Sequence, residues 1–281
     1  MKKTFSVVLL FTTVNILLCN SQFPPCSRNI SKYRIVDESN IKITYSLLFK
    51  FSEQNQEYYK DTRIVQVGNR IIKDFSPIVY YTDSIATDAE KKGASGIPTL
   101  QEVIFPYEIF NNYEKTKSLV IYRTFVSGPA LKYFDNKSYL KWELKDGNKT
   151  ILGYKCQQAT TQFAGRKYTA WFTMELPIDA GPYKFSGLPG LILEVEESDR
   201  FFVWTAIGIK KIKEPIVEYQ YDDYQNCTRK EADETIKMMF AKPFSFLLPY
   251  SAGITVVRQD GTTYRGSIEN EIPILYEPLE R

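Results

Sequence analysis

Short runs of alternating character recur along the chain. In Tyr139-Leu140-Lys141-Trp142-Glu143-Leu144, the residues Leu140, Trp142 and Leu144 fall on one face of an extended strand and Tyr139, Lys141 and Glu143 on the other, the signature of a half-buried sheet. Turn dipeptides separate such runs. Gly68-Asn69 divides 64–67 from 70–72, Ala164-Gly165 divides 159–163 from 166–172, and Asp260-Gly261 divides 254–258 from 262–265. Each predicts a local antiparallel hairpin. Asp146-Gly147-Asn148 predicts another, between 139–144 and 150–152. From Phe201 to Ile209 large apolar groups occupy both faces, which fits a central strand or one lining a cavity. The helical pattern is confined to one place. Thr228-Arg229-Lys230-Glu231 is a capping box leading into 232–240, with Lys242-Pro243 as its stop. Residues 86–99, with Gly93, Gly96 and Pro98, read as a mobile loop. The expected fold is mainly β (β-rich α+β), an antiparallel meander with one short helix near 229–241.

The N-terminus has a different pattern. Met1-Lys2-Lys3 precedes an apolar stretch reaching Leu18, and Cys19-Asn20-Ser21 offers small residues before Gln22, so residues 1–21 read as a signal peptide and 22–281 as a single mature domain. Export to the periplasm or beyond is expected. Lipidation at Cys19 is the weaker alternative, because Leu18 is too bulky for a lipobox. No later segment reaches 18 uninterrupted apolar residues, so the mature chain is not expected to span a membrane.

Composition narrows the chemistry. The 281 residues include no His, which removes serine and cysteine triads, imidazole bases and histidine metal sites. Without residues 1–21, 34 basic groups face 33 acidic ones, so no broad footprint for nucleic acid exists. Lys210-Lys211-Ile212-Lys213 is the one dense basic cluster and reads as a solvated strand end. Cys26, Cys156 and Cys227 remain after cleavage, an odd number for an oxidising compartment. One disulfide and one free thiol is the simplest arrangement, with the pairing open. No CxxC motif supports redox or zinc chemistry.

Leu176 to Glu194 holds the most distinctive spacing, with Pro177, Pro182 and Pro189 restricting the backbone and Gly181, Gly187 and Gly190 releasing it. Gly187 to Ile192 spells Gly-Leu-Pro-Gly-Leu-Ile, and the match extends through Gly153-Tyr154-Lys155-Cys156, Phe163-Ala164-Gly165-Arg166, Ala170-Trp171-Phe172-Thr173 and Pro177-Ile178 to Gly181-Pro182. On these residues the chain resembles the GLPGLI family of exported Bacteroidetes proteins. The resemblance implies a compartment and no established activity. The pattern is also similar to that of lipoprotein carriers, which implies a curved or half-barrel sheet around an apolar cavity. The binding surface expected on this basis comprises Arg166, Trp171, Pro182, Tyr183, Gly187, Leu188, Pro189, Gly190 and Leu191.

Other chemistry is poorly served. Gly187 to Gly190 lacks the Lys-Ser/Thr of a phosphate loop, and Ser186 lacks the context of a nucleophile elbow. Glu175, Asp179, Glu194 and Glu196 are near the motif and keep a carboxylate-dependent hydrolase of envelope polysaccharide or peptide as the alternative, although Glu194 and Glu196 alternate with Leu193 and Val195 as a wet strand face would. Trp171, Tyr168 and Tyr183 are a conceivable sugar-stacking platform, with core packing preferred. Asp83-Ser84-Ile85 matches a short O-glycosylation signal. The leading expectation is a noncatalytic binding, carrier or docking module for an apolar small molecule or lipid, or for an envelope protein, without cofactor or metal.

Overall fold

The computed structural model describes residues 14–17, 24–54, 57–94, 100, 102–137, 139–251, 254–257 and 263–281. Its strands are β1 Val14–Leu17, β2 Tyr33–Phe49, β3 Tyr59–Gly68, β4 Ile72–Phe75, β5 Tyr107–Glu114, β6 Lys117–Arg123, β7 Ala130–Asn136, β8 Glu143–Ile151, β9 Tyr154–Phe163, β10 Arg166–Thr173, β11 Leu191–Glu197, β12 Phe202–Tyr219, β13 Tyr224–Asn226, β14 Ile254–Val257 and β15 Thr263–Gly266. The helices are α1 Pro77–Lys91, α2 Arg229–Ala241 and α3 Pro243–Leu247.

Twelve strands form one open, curved sheet in the order β13-β7-β6-β5-β4-β3-β2-β12-β11-β10-β9-β8. Neighbours in sequence pair antiparallel from β2 to β7 and again from β8 to β12. The two meanders meet where β12 pairs antiparallel with β2 from Phe202↔Phe49 to Tyr219↔Tyr33. The predicted meander is therefore present, and the strand beginning at Phe202 lies inside the sheet, as its two apolar faces required. Ala164 and Gly165 both adopt positive φ in the β9–β10 turn, as a two-residue hairpin demands. A smaller sheet pairs β14 antiparallel with β15 and parallel with β1. The Asp260-Gly261 tip predicted for that hairpin, and Cys19, lie outside the described residues.

The sheet buries one face through period-two patterning. Ile41, Ile43, Tyr45, Leu47 and Phe49 of β2 point into the main core with Tyr168, Ala170 and Phe172 of β10. That face is covered by α2, α3, the Leu176–Gly190 loop and the tail carrying Leu279. Across β4–β7 the opposite face is covered too, by a second cluster around Phe110, Leu119 and Ile121 and by α1, whose Tyr80 ring packs on Phe75 and Tyr219.

Three expectations are corrected here. Helix α1 occupies 77–91, so the loop expected from residue 86 begins only after Lys91. Pro77 sits at its first turn, where the missing N–H costs nothing, and Val79, Asp83, Ala86 and Thr87 form its buried stripe. Asp146-Gly147-Asn148 does not turn the chain. β8 runs through it with a register shift between Lys145 and Asn148, a bulge on an edge strand, and the reversal falls on Leu152-Gly153, both at positive φ. Lys210 to Lys213 lies in the middle of β12 rather than at its end, its lysines exposed beside the irregularity between Lys211 and Glu214.

Candidate functional site

The residues singled out around the Gly-Leu-Pro-Gly-Leu-Ile segment build the cover of the main core. The Asp74 carboxylate accepts from the Tyr183 amide (2.5 Å), Asn111 donates to the Tyr183 carbonyl (2.6 Å) and Trp142 Nε1 donates to the Ser186 carbonyl (2.8 Å). The Gly187 amide donates to Asp179, and Gly187 adopts φ +94°, open to glycine at little cost. Pro182, Tyr183, Leu188, Gly190 and Leu191 are buried, while Gly187 and Pro189 are exposed. Arg166, 3% exposed, sends Nη2 to the Pro278 carbonyl (2.8 Å) and lies beneath the Phe201 and Phe202 rings. Most of the expected binding surface therefore faces inward. Close packing explains Gly181 and Gly190, and the left-handed backbone explains Gly187.

The aromatic platform does not assemble. Trp171 and Tyr168 are an odd number of residues apart on β10, and strand alternation sends them to opposite faces. Tyr168 and Tyr183 are buried in the core, with Tyr183 stacked on Trp204 at 6.3 Å. Trp171 is half-buried on the outer face between Gln158 and Glu194.

The acids are occupied in separate structural roles. Glu175 accepts from the Lys155 amide (2.8 Å), Asp179 holds Gly187, and Glu196 pairs with Arg200. Glu194 is 9% exposed, not a wet-face residue; Lys149 reaches it at 2.5 Å while crossing the Trp171 ring at 5.3 Å. No paired-carboxylate cleft forms from these four. Cys26, Cys156 and Cys227 are all free, so the expected disulfide is not formed. Burial raises the pKa of all three thiols, and for Cys227 the nearby Glu231 adds to it. Asp83 of the presumed O-glycosylation triplet is buried in α1 and ion-paired with Arg123. Among the described residues no cluster of His, Cys, Asp or Glu could hold a metal ion, and no helix is long and apolar enough to cross a membrane.

Cavities on the covered face are small. One of about 90 Å³ lies beside Tyr107, Tyr133 and Arg229, and another of about 10 Å³ beside Phe51 and Phe202, against several hundred Å³ for typical ligand pockets. Aromatic side chains fill the place of the apolar hollow that the similarity to lipoprotein carriers implied. Phe105, Tyr183, Phe185, Phe202 and Trp204 meet in edge and stacked contacts.

The larger opening, about 760 Å³, runs along β8–β10 and is lined by Tyr139, Lys141, Glu143, Thr160, Gln162, Lys167 and Thr169 among others. Register explains the grouping: Thr160 pairs with both Glu143 and Thr169, and Gln162 pairs with Lys167, so these side chains share one face. Tyr139, 77% exposed, lies toward the Gln162 end; Trp171, opposite Gln158, continues the face at the other. The arrangement offers hydroxyl, amide, ammonium and carboxylate groups with aromatic rings toward either end. It suits a polar, polyhydroxylated ligand better than an acyl chain. The sequence pattern had already put Tyr139, Lys141 and Glu143 on a polar face; the partners from β9 and β10 required the register.

A β-rich domain built on one open sheet, with an apolar side sealed and a polar groove at one margin, is what the fold defines. The chain belongs to the family described as the N-glycanase peptide, N-terminal domain, which matches residues 62–234. Two solved structures of PNGF-II, in space groups P21 and C2, are similar to it with TM-scores of 0.45 and 0.44 and identities of 17% and 16%. In each case the similarity covers 70% of this chain and 32% of theirs, so the chain spans about a third of those proteins' length. No curated protein matches the chain.

Proposed function

We propose that this chain is a noncatalytic, exported binding module whose β8–β10 groove takes a carbohydrate chain. One observation carries the reading: the sheet leaves open a wide polar groove with an exposed tyrosine, while its apolar side is closed by its own side chains. Membership in a family named for an N-glycanase supports a glycan as the ligand class. Export through residues 1–21 and kinship with the GLPGLI proteins belong to the same proposal, resting on the basic-apolar leader and on Gly187 to Ile192.

The test is calorimetric titration with N-linked glycans and with fatty acids. A glycan should bind, and Tyr139→Ala should weaken it about tenfold, the loss of one aromatic contact, without changing the melting temperature. Binding of a fatty acid and of no glycan would reverse the assignment.

A further inference from the structure

The β8–β10 groove carries charge that the chain itself does not neutralise. At its margins, three cations on the same outer face each have a carboxylate: Lys145 reaches Glu143 (2.6 Å), Lys149 reaches Glu194 (2.5 Å) and Arg200 reaches Glu196 (2.5 Å). Lys141 and Lys167 line the opening itself, are exposed, and form no ion pair with a described residue. Glu143 is the one carboxylate lining the opening, and Lys145 already occupies it. Two positive charges are therefore left over. Exposed lysines often stand unpaired in water, so charge alone decides little; their placement decides more.

Register sets the two lysines in one row. Gln162 of β9 pairs with Lys167 of β10. Glu143 pairs with Thr160, and the same antiparallel register, continued two residues back along the approach to β8, sets Lys141 opposite Gln162. The Thr161 hydroxyl fastens that approach by donating to the Lys141 carbonyl (2.8 Å). The row ends at Ser198, whose amide donates to the Lys167 carbonyl (3.0 Å). Lys141 and Lys167 thus flank Gln162 from either side, about 10 Å apart at the backbone by ordinary strand spacing. An anionic group seated over the Gln162 amide would have an ammonium group on each hand. Tyr139, two residues from Lys141 on the same face, adds an exposed ring at this end, and Lys137 approaches that ring at 5.9 Å. A neutral sugar would leave both ammonium groups without a counter-charge, whereas an acidic one gains charge-assisted hydrogen bonds, stronger than neutral ones.

We infer that the ligand of the β8–β10 groove is an acidic saccharide, whose carboxylate or sulfate sits over Gln162 between Lys141 and Lys167 while a neighbouring sugar ring lies against Tyr139. The inference rests on the carbohydrate reading of the groove and narrows it to one chemical class. Carboxylate and sulfate share the chemistry that the row offers, negative oxygens that accept from ammonium and amide donors.

The experiment is calorimetric titration of the full chain with a sialylated N-glycan, with the same glycan after removal of its sialic acids, and with a sulfated heparin oligosaccharide. At least one acidic probe should bind about tenfold more tightly than the neutral glycan, the scale of one charge-assisted contact, and which of the two gains distinguishes carboxylate from sulfate. Lys141→Gln and Lys167→Gln should each remove that preference. Lys60→Gln, which takes an exposed cation of β3 from outside the groove, should keep it. Equal affinity for acidic and neutral probes overturns the inference and leaves the carbohydrate reading standing, whereas binding of no saccharide overturns both. A preference that survives both groove substitutions overturns it as well. So does polyglutamate binding as tightly as the acidic saccharide, because charge without a sugar would then suffice.

Discussion

Gly190 shows how much of the Gly-Leu-Pro-Gly-Leu-Ile spacing is steric. A Cβ built there would lie 2.1 Å from the Thr173 carbonyl oxygen, a backbone atom that cannot swing aside. Gly190→Ala is expected to lower stability by about 3 kcal/mol or more, by overpacking against a fixed strand. Gly153 provides the contrast, with φ +85° and nothing within 4 Å of its virtual Cβ. Gly153→Ala should cost only about 1 kcal/mol, the price of a left-handed backbone without glycine. Urea unfolding of the two variants checks both values, and equal losses would mean that conformation rather than contact governs Gly190. The glycines and prolines were legible in the sequence as a constrained path. That the path turns inward was not, because Leu188, Tyr183 and Phe185 look the same in sequence whether they meet a ligand or the protein's own core. Glu194 misled for a related reason: alternation placed it correctly on the outer face, but only the register of β8, β10 and β11 brings Lys149 and Trp171 over it.

Among the elements, α2 was legible because its signal is local. Thr228 Oγ1 accepts from the Glu231 amide and the Glu231 carboxylate accepts from the Thr228 amide, contacts confined to four residues. Helix α1 has no such box: Ser76 Oγ is engaged by Asp61 (2.8 Å), and the first turns hold Ile78, Val79, Tyr80 and Tyr81, residues with greater strand preference. Its stability is tertiary. The Asp83 carboxylate, fully buried, accepts from Arg123 Nη1 (3.0 Å) and the Arg28 amide (2.9 Å), and Tyr221 also contacts Arg123 (2.6 Å). The two helices should therefore respond differently to loss of one key group. Thr228→Ala is expected to cost about 1 kcal/mol, the usual value of a cap. Asp83→Asn should cost about 3–5 kcal/mol, because it leaves the Arg123 guanidinium buried without its counter-charge. Thermal unfolding monitored by circular dichroism checks both, and a smaller loss at Asp83 than at Thr228 would contradict this account of α1. The misplaced β8–β9 turn follows similar logic: Asp146-Gly147-Asn148 has suitable turn residues, but Leu152-Gly153 is what lets Ile151 pair with Tyr154.

At the scale of the whole molecule, the seam between β2 and β12 makes one sheet of two meanders, and the tail ties that sheet's cover together through charge. Glu280 senses pH most directly there. Burial acts to raise its carboxyl pKa, but Lys184 and Arg229 together with the Tyr183 hydroxyl outweigh it and hold the group below its ordinary 4.5. A carboxyl whose pKa is lower folded than unfolded adds stability that is complete above the unfolded value and is lost as pH falls through the folded one. Docking of residues 278–280 should hold at pH 6 and weaken progressively below about pH 4.5. Asp233, near Arg229, works the other way: burial raises its carboxyl above 3.8, so its protonation on acidification favours the folded state. Asp61 of β3, buried beside Arg63, does the same. The acid transition should therefore begin locally. Solvent access at Tyr276, stacked on Phe240 at 4.0 Å, should rise before the sheet loses its far-ultraviolet signal, and Glu280→Gln should remove the pH dependence of that early step while leaving the later one. A single coincident transition in both proteins would show that the tail and the sheet unfold as one unit and that Glu280 does not set the order.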